Sequence, residues 1–306
     1  MTNLVLLVAC FALGALARYL TAKSAGPFAG LSPEAHRVLN VWIMNVSLPA
    51  LVLRAVHGVA LEPALFVGAG MLWLEFVVAA ALSLLAIRLK IVSVGTGGAL
   101  ALAAGLGNTA FVGLPLVEAL GGHDAMAKAS VIDQLGSFAV LAVLAIPFAV
   151  TLAGGKIAPL AVARKLVTFP SFIALLAAIA LRPVTFPSAV DQVLGRLADM
   201  LSPLALASVG WQTRLSSLRG HWRFIAAGLA YRLLVGPALV FAVLRLLGPI
   251  GLVERVTIAE AAMAPMVTAS ILAAEHDLEP DLAAGLVAVG VVLSLITVPA
   301  WWAFVA

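Results

Sequence analysis

Charge is what this chain most lacks. Acidic and basic residues fill 10% of its 306 positions, whereas a soluble domain carries about 25%, so water is excluded as the main solvent of the fold. Cysteine is nearly absent too. The single Cys10 lies in the first apolar run, which rules out an intramolecular disulfide and argues against a Cys-ligated metal site. The five histidines, His36, His57, His123, His221 and His276, fall near expected loops without zinc-like spacing. No Gly-Lys-Ser/Thr phosphate-binding sequence occurs, so ATP-driven transport by this chain alone is not expected. The net charge of +4 is scattered over helix ends with no basic face, which removes nucleic acid from the expected partners. No polar stretch is long enough for a soluble domain.

What remains is apolar: 63% hydrophobic residues and a mean hydropathy of +1.15. The uncharged runs Ile91–Val117, Gln134–Gly155 and Leu282–Ala306 each exceed the ~18 residues that suggest a membrane span. The pattern predicts ten spans, at 3–20, 38–56, 64–87, 97–120, 129–152, 167–182, 191–211, 224–246, 256–274 and 282–305. Gaps are marked by Gly26-Pro27, Glu62-Pro63, Gly121-Gly122, Gly154-Gly155, Arg182-Pro183, Arg219-Gly220 and Gly248-Pro249. Asn3–Ala17 reads as the first span and not as a removed signal peptide, because no basic segment precedes it. Alternate loops differ in basic residues. Arg18, Lys23, Arg37, Arg88, Lys90, Lys156, Arg164, Lys165, Arg214, Arg219 and Arg223 fall on one side; Arg54, Lys128, Arg182, Arg245 and Arg255 fall on the other. The richer side is expected to be cytoplasmic, which puts both termini outside a multi-pass protein of the inner (plasma) membrane.

Two spans look broken. Span 4 carries Gly105, Gly107, Asn108, Thr109, Gly113 and Pro115; span 9 carries Glu260-Ala-Ala-Met-Ala-Pro265-Met266-Val-Thr268. Proline removes a backbone donor, glycine permits unwinding, and hydrocarbon tolerates the result only inside protein or around a wet cavity. The two prolines stand 150 residues apart, each in the fourth span of its five-span half. An odd number of helices inverts the second half, so the fold expected is a single all-α transmembrane domain over 1–306, a 5+5 inverted repeat of about 1–153 and 165–306 with crossing, broken helices 4 and 9. Such repeats build secondary transporters, with the site where the broken helices meet. Ordinary membrane-helix kinks are the structural alternative.

Three stretches carry a family likeness: Leu39-Asn-Val-Trp-Ile-Met-Asn-Val-Ser-Leu-Pro-Ala-Leu51, Gly107-Asn-Thr-Ala-Phe-Val-Gly-Leu-Pro115 and Ala261-Ala-Met-Ala-Pro-Met-Val-Thr268. With them the chain resembles the auxin efflux carrier family, which includes plant auxin exporters and bacterial malonate and malate carriers. The resemblance implies interleaved scaffold and mobile transport subdomains akin to bile-acid symporters. It also implies that Asn108, Pro115 and Pro265 belong to a crossover site. The long cytoplasmic loop of the larger plant exporters is missing here.

Ionisable residues deep in a membrane are candidates for function. Glu75 is central in span 3, on a face shared with Gly68, Leu72, Ala79 and Leu82; it reads either as a proton-coupling carboxyl or as the fixed partner of Arg232. Arg232, between Gly228 and Gly236, suits a substrate carboxylate, Glu75, or exposed helix carbonyls. Asp133-Gln134 reads as the first turn of span 5, complementing the helix dipole or lining the site. Asn45 and Ser47 precede Pro49 in span 2 and suit the backbone groups that a polar break there sets free. The tryptophans read mostly as interfacial anchors.

The function expected is a secondary active carrier of a small organic anion, such as a mono- or dicarboxylate, working by alternating access. Substrate contacts fall to Asn108, Thr109, Gly113, Pro115, Pro265, Met266 and Thr268; coupling candidates are Glu75, Asp133, Gln134 and Arg232. Proton coupling leads, a sodium symporter is the near alternative, and a channel or receptor the distant one. No nucleophile–base or metal constellation suggests an intramembrane enzyme, and no cofactor is expected beyond the coupling H+ or Na+. Partners are the anion, the lipid bilayer and, for the assembly, a second copy in a homodimer.

Overall fold

The computed structural model describes residues 2–23, 32, 34–156, 159–212 and 220–306. The helices are α1 (Thr2–Ala22), α2 (His36–Gly58), α3 (Pro63–Arg88), α4 (Val94–Gly105), α5 (109–121), α6 (123–152), α7 (Pro159–Val167), α8 (Pro170–Ala180), α9 (Ser188–Gln212), α10 (Trp222–Leu247), α11 (Leu252–Ala261), α12 (Val267–Glu275) and α13 (Pro280–Phe304). Among the described residues, α2, α3, α9, α10, α13 and the 44-residue stretch Thr109–Leu152 are long and apolar enough to cross a membrane. Val5–Thr21, α4 and α8 are shorter apolar helices. The basic residues Arg214 and Arg219 and the Gly26-Pro27 gap lie outside the described residues.

At 1.5 Å per residue a straight 44-residue helix would span about twice the ~30 Å hydrocarbon core. Gly122, with φ 75° and ψ −171°, divides it into α5 and α6. A side chain rarely adopts that φ, and glycine does so at little cost. The expected gap around Gly121-Gly122 is therefore one residue, and α6 starts at 123 instead of 129. The expected span 167–182 is likewise corrected. It is divided at Phe169, whose ψ of 125° is extended because Pro170 disfavours a helical residue before it.

Four prolines are absorbed without a break. π-helical turns at Ile43–Ser47, Thr109–Gly113, Leu141–Ala145 and Tyr231–Val235 each end two residues before a proline, namely Pro49, Pro115, Pro147 and Pro237. Widening the turn relieves the clash of the ring with the carbonyl four residues back. Side chains meet carbonyls beside two of these turns. Asn45 Nδ2 donates to Val41 O at 2.8 Å. Trp301 Nε1 donates at 2.9 Å to Leu233 O, the acceptor that Pro237 cannot serve. Pro49 is thus no break in α2, and Ser47 Oγ, expected to help there, has no hydrogen-bond partner among the described residues.

The chain forms two compact units, each discontinuous in sequence. Unit 1 comprises Met1–Ala60, Ala110–Ser130 and Thr168–Thr213; unit 2 comprises Leu61–Thr109, Val131–Val167 and Arg214–Ala306. In unit 1, α1 lies directly on the second half of α9: a Cβ on Gly14 would stand 2.0 Å from Ala207 O, and one on Gly210 2.1 Å from Phe11 O. Small residues permit that approach where lipid supplies no hydrophobic drive between helices. Unit 2 has an apolar core that includes Phe76, Leu102, Leu106, Val140, Leu229, Leu233 and Leu286. Along α3, Gly68, Leu72, Glu75 and Ala79 are buried, but Leu82 is 52% exposed, so the face expected to pack ends one turn early.

Candidate functional site

Unit 2 holds both interruptions, although α5 beyond Thr109 belongs to unit 1. α4 ends at Gly105 and the helical path resumes at Thr109; α11 ends at Ala261 and α12 begins at Val267. The two interruptions pair as an isolated antiparallel bridge between Gly107 and Pro265. Asn108 N donates to Ala264 O at 2.7 Å and Met266 N to Leu106 O at 2.8 Å. Each unwound strand thus satisfies part of the other's backbone, which hydrocarbon demands. Proline fits on the bridge because its missing N–H is not called upon there. Room for it comes from Gly290 of α13, where a Cβ would stand 2.3 Å from Pro265 Cδ.

Broken helices leave C-terminal carbonyls without intrahelical partners and with partial negative charge. Arg232 meets them. Its Nε donates to Met263 O at 2.8 Å, its Nη2 to Glu260 O at 3.1 Å, and its Nη1 lies 3.5 Å from Gly105 O. The same Nη1 is 3.1 Å from Glu75 Oε2, with both side chains 1% exposed. The guanidinium thereby joins α4, α11 and α3, taking both structural roles open to it, and is engaged at each of its three nitrogens without a substrate carboxylate. Two glycines make the space. A Cβ on Gly107 would stand 2.3 Å from Arg232 Nη2, and one on Gly236 2.2 Å from Glu75 Oε1. Gly228, expected to admit a neighbouring backbone, instead faces the side chains of Leu286 and Leu100.

Asp133 requires a correction. Because α6 starts at 123, Asp133 is not in its first turn but about three turns in, so it cannot complement that helix's dipole. Its carboxylate accepts from Thr109 Oγ1 at 2.5 Å and from Gln134 Nε2 at 2.7 Å. Thr109 opens α5, so the negative charge stands at the N-terminus of a different helix, where it is favourable. Asn108, Thr109, Asp133 and Gln134 are all buried.

Unit 2 therefore gathers Glu75, Asn108, Thr109, Asp133, Gln134, Arg232, Pro265 and Met266. It does not gather the rest. Gly113 and Pro115 belong to unit 1, and Pro115 follows a π-helical turn inside a continuous helix, six residues beyond Thr109 and away from the break. Asn45 and Pro49 also belong to unit 1, and Thr268, although part of unit 2, is exposed on α12. Trp73, expected near an interface with the other tryptophans, lies mid-helix and donates to Leu135 O at 2.9 Å. Among the described residues no group of His, Cys, Asp or Glu is arranged to hold a metal ion.

The sequence reading overlooked Glu260. It is 0% exposed in the last turn of α11, and neither carboxylate oxygen has a hydrogen-bond partner among the described residues. An acid five positions before Pro265 in an apolar span was signal enough.

Comparison with known proteins gives concordant results. The model of a family described as membrane transport protein matches residues 4–302. An uncharacterized transporter of Methanothermobacter thermautotrophicus is 25% identical over 280 residues, 89% of each chain. An uncharacterized transporter of Methanocaldococcus jannaschii is 26% identical over 211 residues, 67% of each chain.

Proposed function

The chain belongs to the membrane transport protein family, the family of the auxin efflux carriers, and from that premise we propose that it is a secondary active carrier of a small organic anion. It is a multi-pass helical membrane protein and a transporter, not an enzyme. The observation that supports the finer reading most is the Gly107–Pro265 bridge. Two membrane helices interrupted and paired at one point leave helix N-termini at Thr109, which Asp133 already faces, and at Val267, and a helix N-terminus suits an anionic group. Discontinuous helices of this kind form the sites of alternating-access carriers.

In this reading the helices form a 5+5 inverted repeat. Unit 2 moves with the substrate and unit 1 is the scaffold. Asn108, Thr109 and the amide of Val267 hold the anion beside Met266, whose own N–H is taken by Leu106 O; Arg232 and Glu75 hold the crossover in shape; a proton is the coupling ion. The basic loops face the cytoplasm of a cell bounded by the inner (plasma) membrane, and both termini face outward. Cysteines placed at Lys156 and Val184 on a Cys10→Ser background should then label from opposite sides of intact cells. Labelling from the same side would overturn that orientation.

Counterflow tests the carrier itself. Proteoliposomes preloaded with an unlabelled mono- or dicarboxylate should take up the labelled compound faster than empty ones, for at least one member of a panel. Uptake that is indifferent to internal anion for every transported compound would indicate a channel.

A further inference from the structure

Unit 2 buries three carboxyl groups, and they are treated differently. Glu75 faces Arg232 at 3.1 Å. Asp133 accepts from Thr109 and Gln134 at 2.5 and 2.7 Å. Glu260 has no donor at all among the described residues, although its own carbonyl is bound by Arg232 Nη2 at 3.1 Å. The charged groups near enough to act on its carboxyl are Asp133 of α6 and Arg232 of α10, with Glu75 of α3 behind Arg232. α13, which also packs on α11, has only Asp281 as an ionisable residue, exposed in its first turn.

A buried carboxylate needs a donor or a counter-charge; Glu260 has no donor among the described residues, and the cation near it is engaged elsewhere. The Arg232 guanidinium is directed at Glu75 and at backbone carbonyls. Asp133 contributes charge of the same sign, and two neighbouring carboxylates do not both ionise readily. The conformation described here therefore suits Glu260 as the neutral acid. Its carbonyl is fixed to the crossover, so a rearrangement there would carry the carboxyl with it.

We propose that Glu260 is the proton-binding group of the transport cycle. Its carboxylate takes a proton from water when the crossover is open to one side. The neutral acid is carried while buried, and the proton returns to water on the other side. This rests on the carrier reading and names the coupling group within it.

The full chain in sodium-free phosphatidylcholine vesicles, treated with dicyclohexylcarbodiimide, tests the proposal without a transport substrate, since this apolar reagent attacks protonated carboxyl groups. Peptide mass spectrometry should find the adduct on Glu260, decreasing as pH rises, lost in Glu260→Gln and unchanged by sodium. Infrared pH-difference spectra provide an independent check: the wild type should show a protonated carboxyl band that Glu260→Gln lacks and Asp133→Asn keeps. Absence of both the adduct and the band at every pH would overturn the assignment. Protection from the reagent by sodium at fixed pH would overturn it in favour of a sodium site. These readouts are independent of flux, so a failed counterflow assay alongside a titrating Glu260 would condemn the carrier reading alone. In vesicles with working exchange, Glu260→Gln should retain trans-stimulated uptake and lose accumulation driven by a pH gradient. Retained accumulation would contradict the proposal.

Discussion

Unit 1 pairs Arg54 with Asp191 at 2.9 Å, and these side chains are 40% and 46% exposed; unit 2 pairs Arg232 with Glu75 at 3.1 Å, and these are 1% exposed. The distances are alike and the energetics are not. An exposed pair gives up little solvation and gains little. A buried pair has lost its solvation and depends on its partner. Unit 1 keeps its other ionic contacts near helix ends too, as in His123 with Glu118 at 3.2 Å, whereas unit 2 places charge where its helices are interrupted. In unit 2 the burial of charge follows the broken backbone: Arg232 is deep because the ends of α4 and α11 need a cation.

The largest effect that would break this contrast is expected at the buried pair. Glu75→Gln leaves Arg232 uncompensated and should cost about 3–5 kcal/mol, seen as a large drop in melting temperature in detergent. Glu75→Gln with Arg232→Gln should recover much of that loss. A single variant as stable as wild type would show that the pair does not hold the crossover. The next effect should come from Gly107→Ala. The added methyl displaces a guanidinium already held by carbonyls, and overpacking of this kind costs about 1–3 kcal/mol. Gly58→Ala, where no atom lies within 4 Å of the added Cβ, is the matched control and should be silent. Asp191→Asn should have the smallest effect of all, with no resolvable change in melting temperature, and a loss comparable to that of Glu75→Gln would erase the distinction between the units.

The sequence revealed the crossover only in part. Gly107, Asn108 and Pro265 were recognisable because the residues that permit or force unwinding stand inside otherwise apolar spans. Pro115 carried the same signal and misled. A proline always loosens one carbonyl, but whether the helix breaks or widens into a π-helical turn depends on tertiary partners that the sequence does not display. Glu75 and Arg232 were legible as the two deep opposite charges. The role of Asp133 was misread because it hinges on where α6 begins, and a single positive-φ residue, Gly122, divides the helices where a loop was expected. Glu260 was hidden within the very motif that announced the break.

In the proposed carrier the paired interruptions hold the transported anion. Trans-stimulated exchange by Asn108→Ala, compared with wild type in the same vesicles, tests it most directly. Asn108 is 3% exposed, and its backbone N–H, which alanine retains, makes the bond to Ala264. The variant should purify as a monodisperse protein with a near-normal melting temperature and lose at least about tenfold in exchange, a difference of about 1.4 kcal/mol in binding or barrier. Wild-type exchange by a folded Asn108→Ala would contradict it.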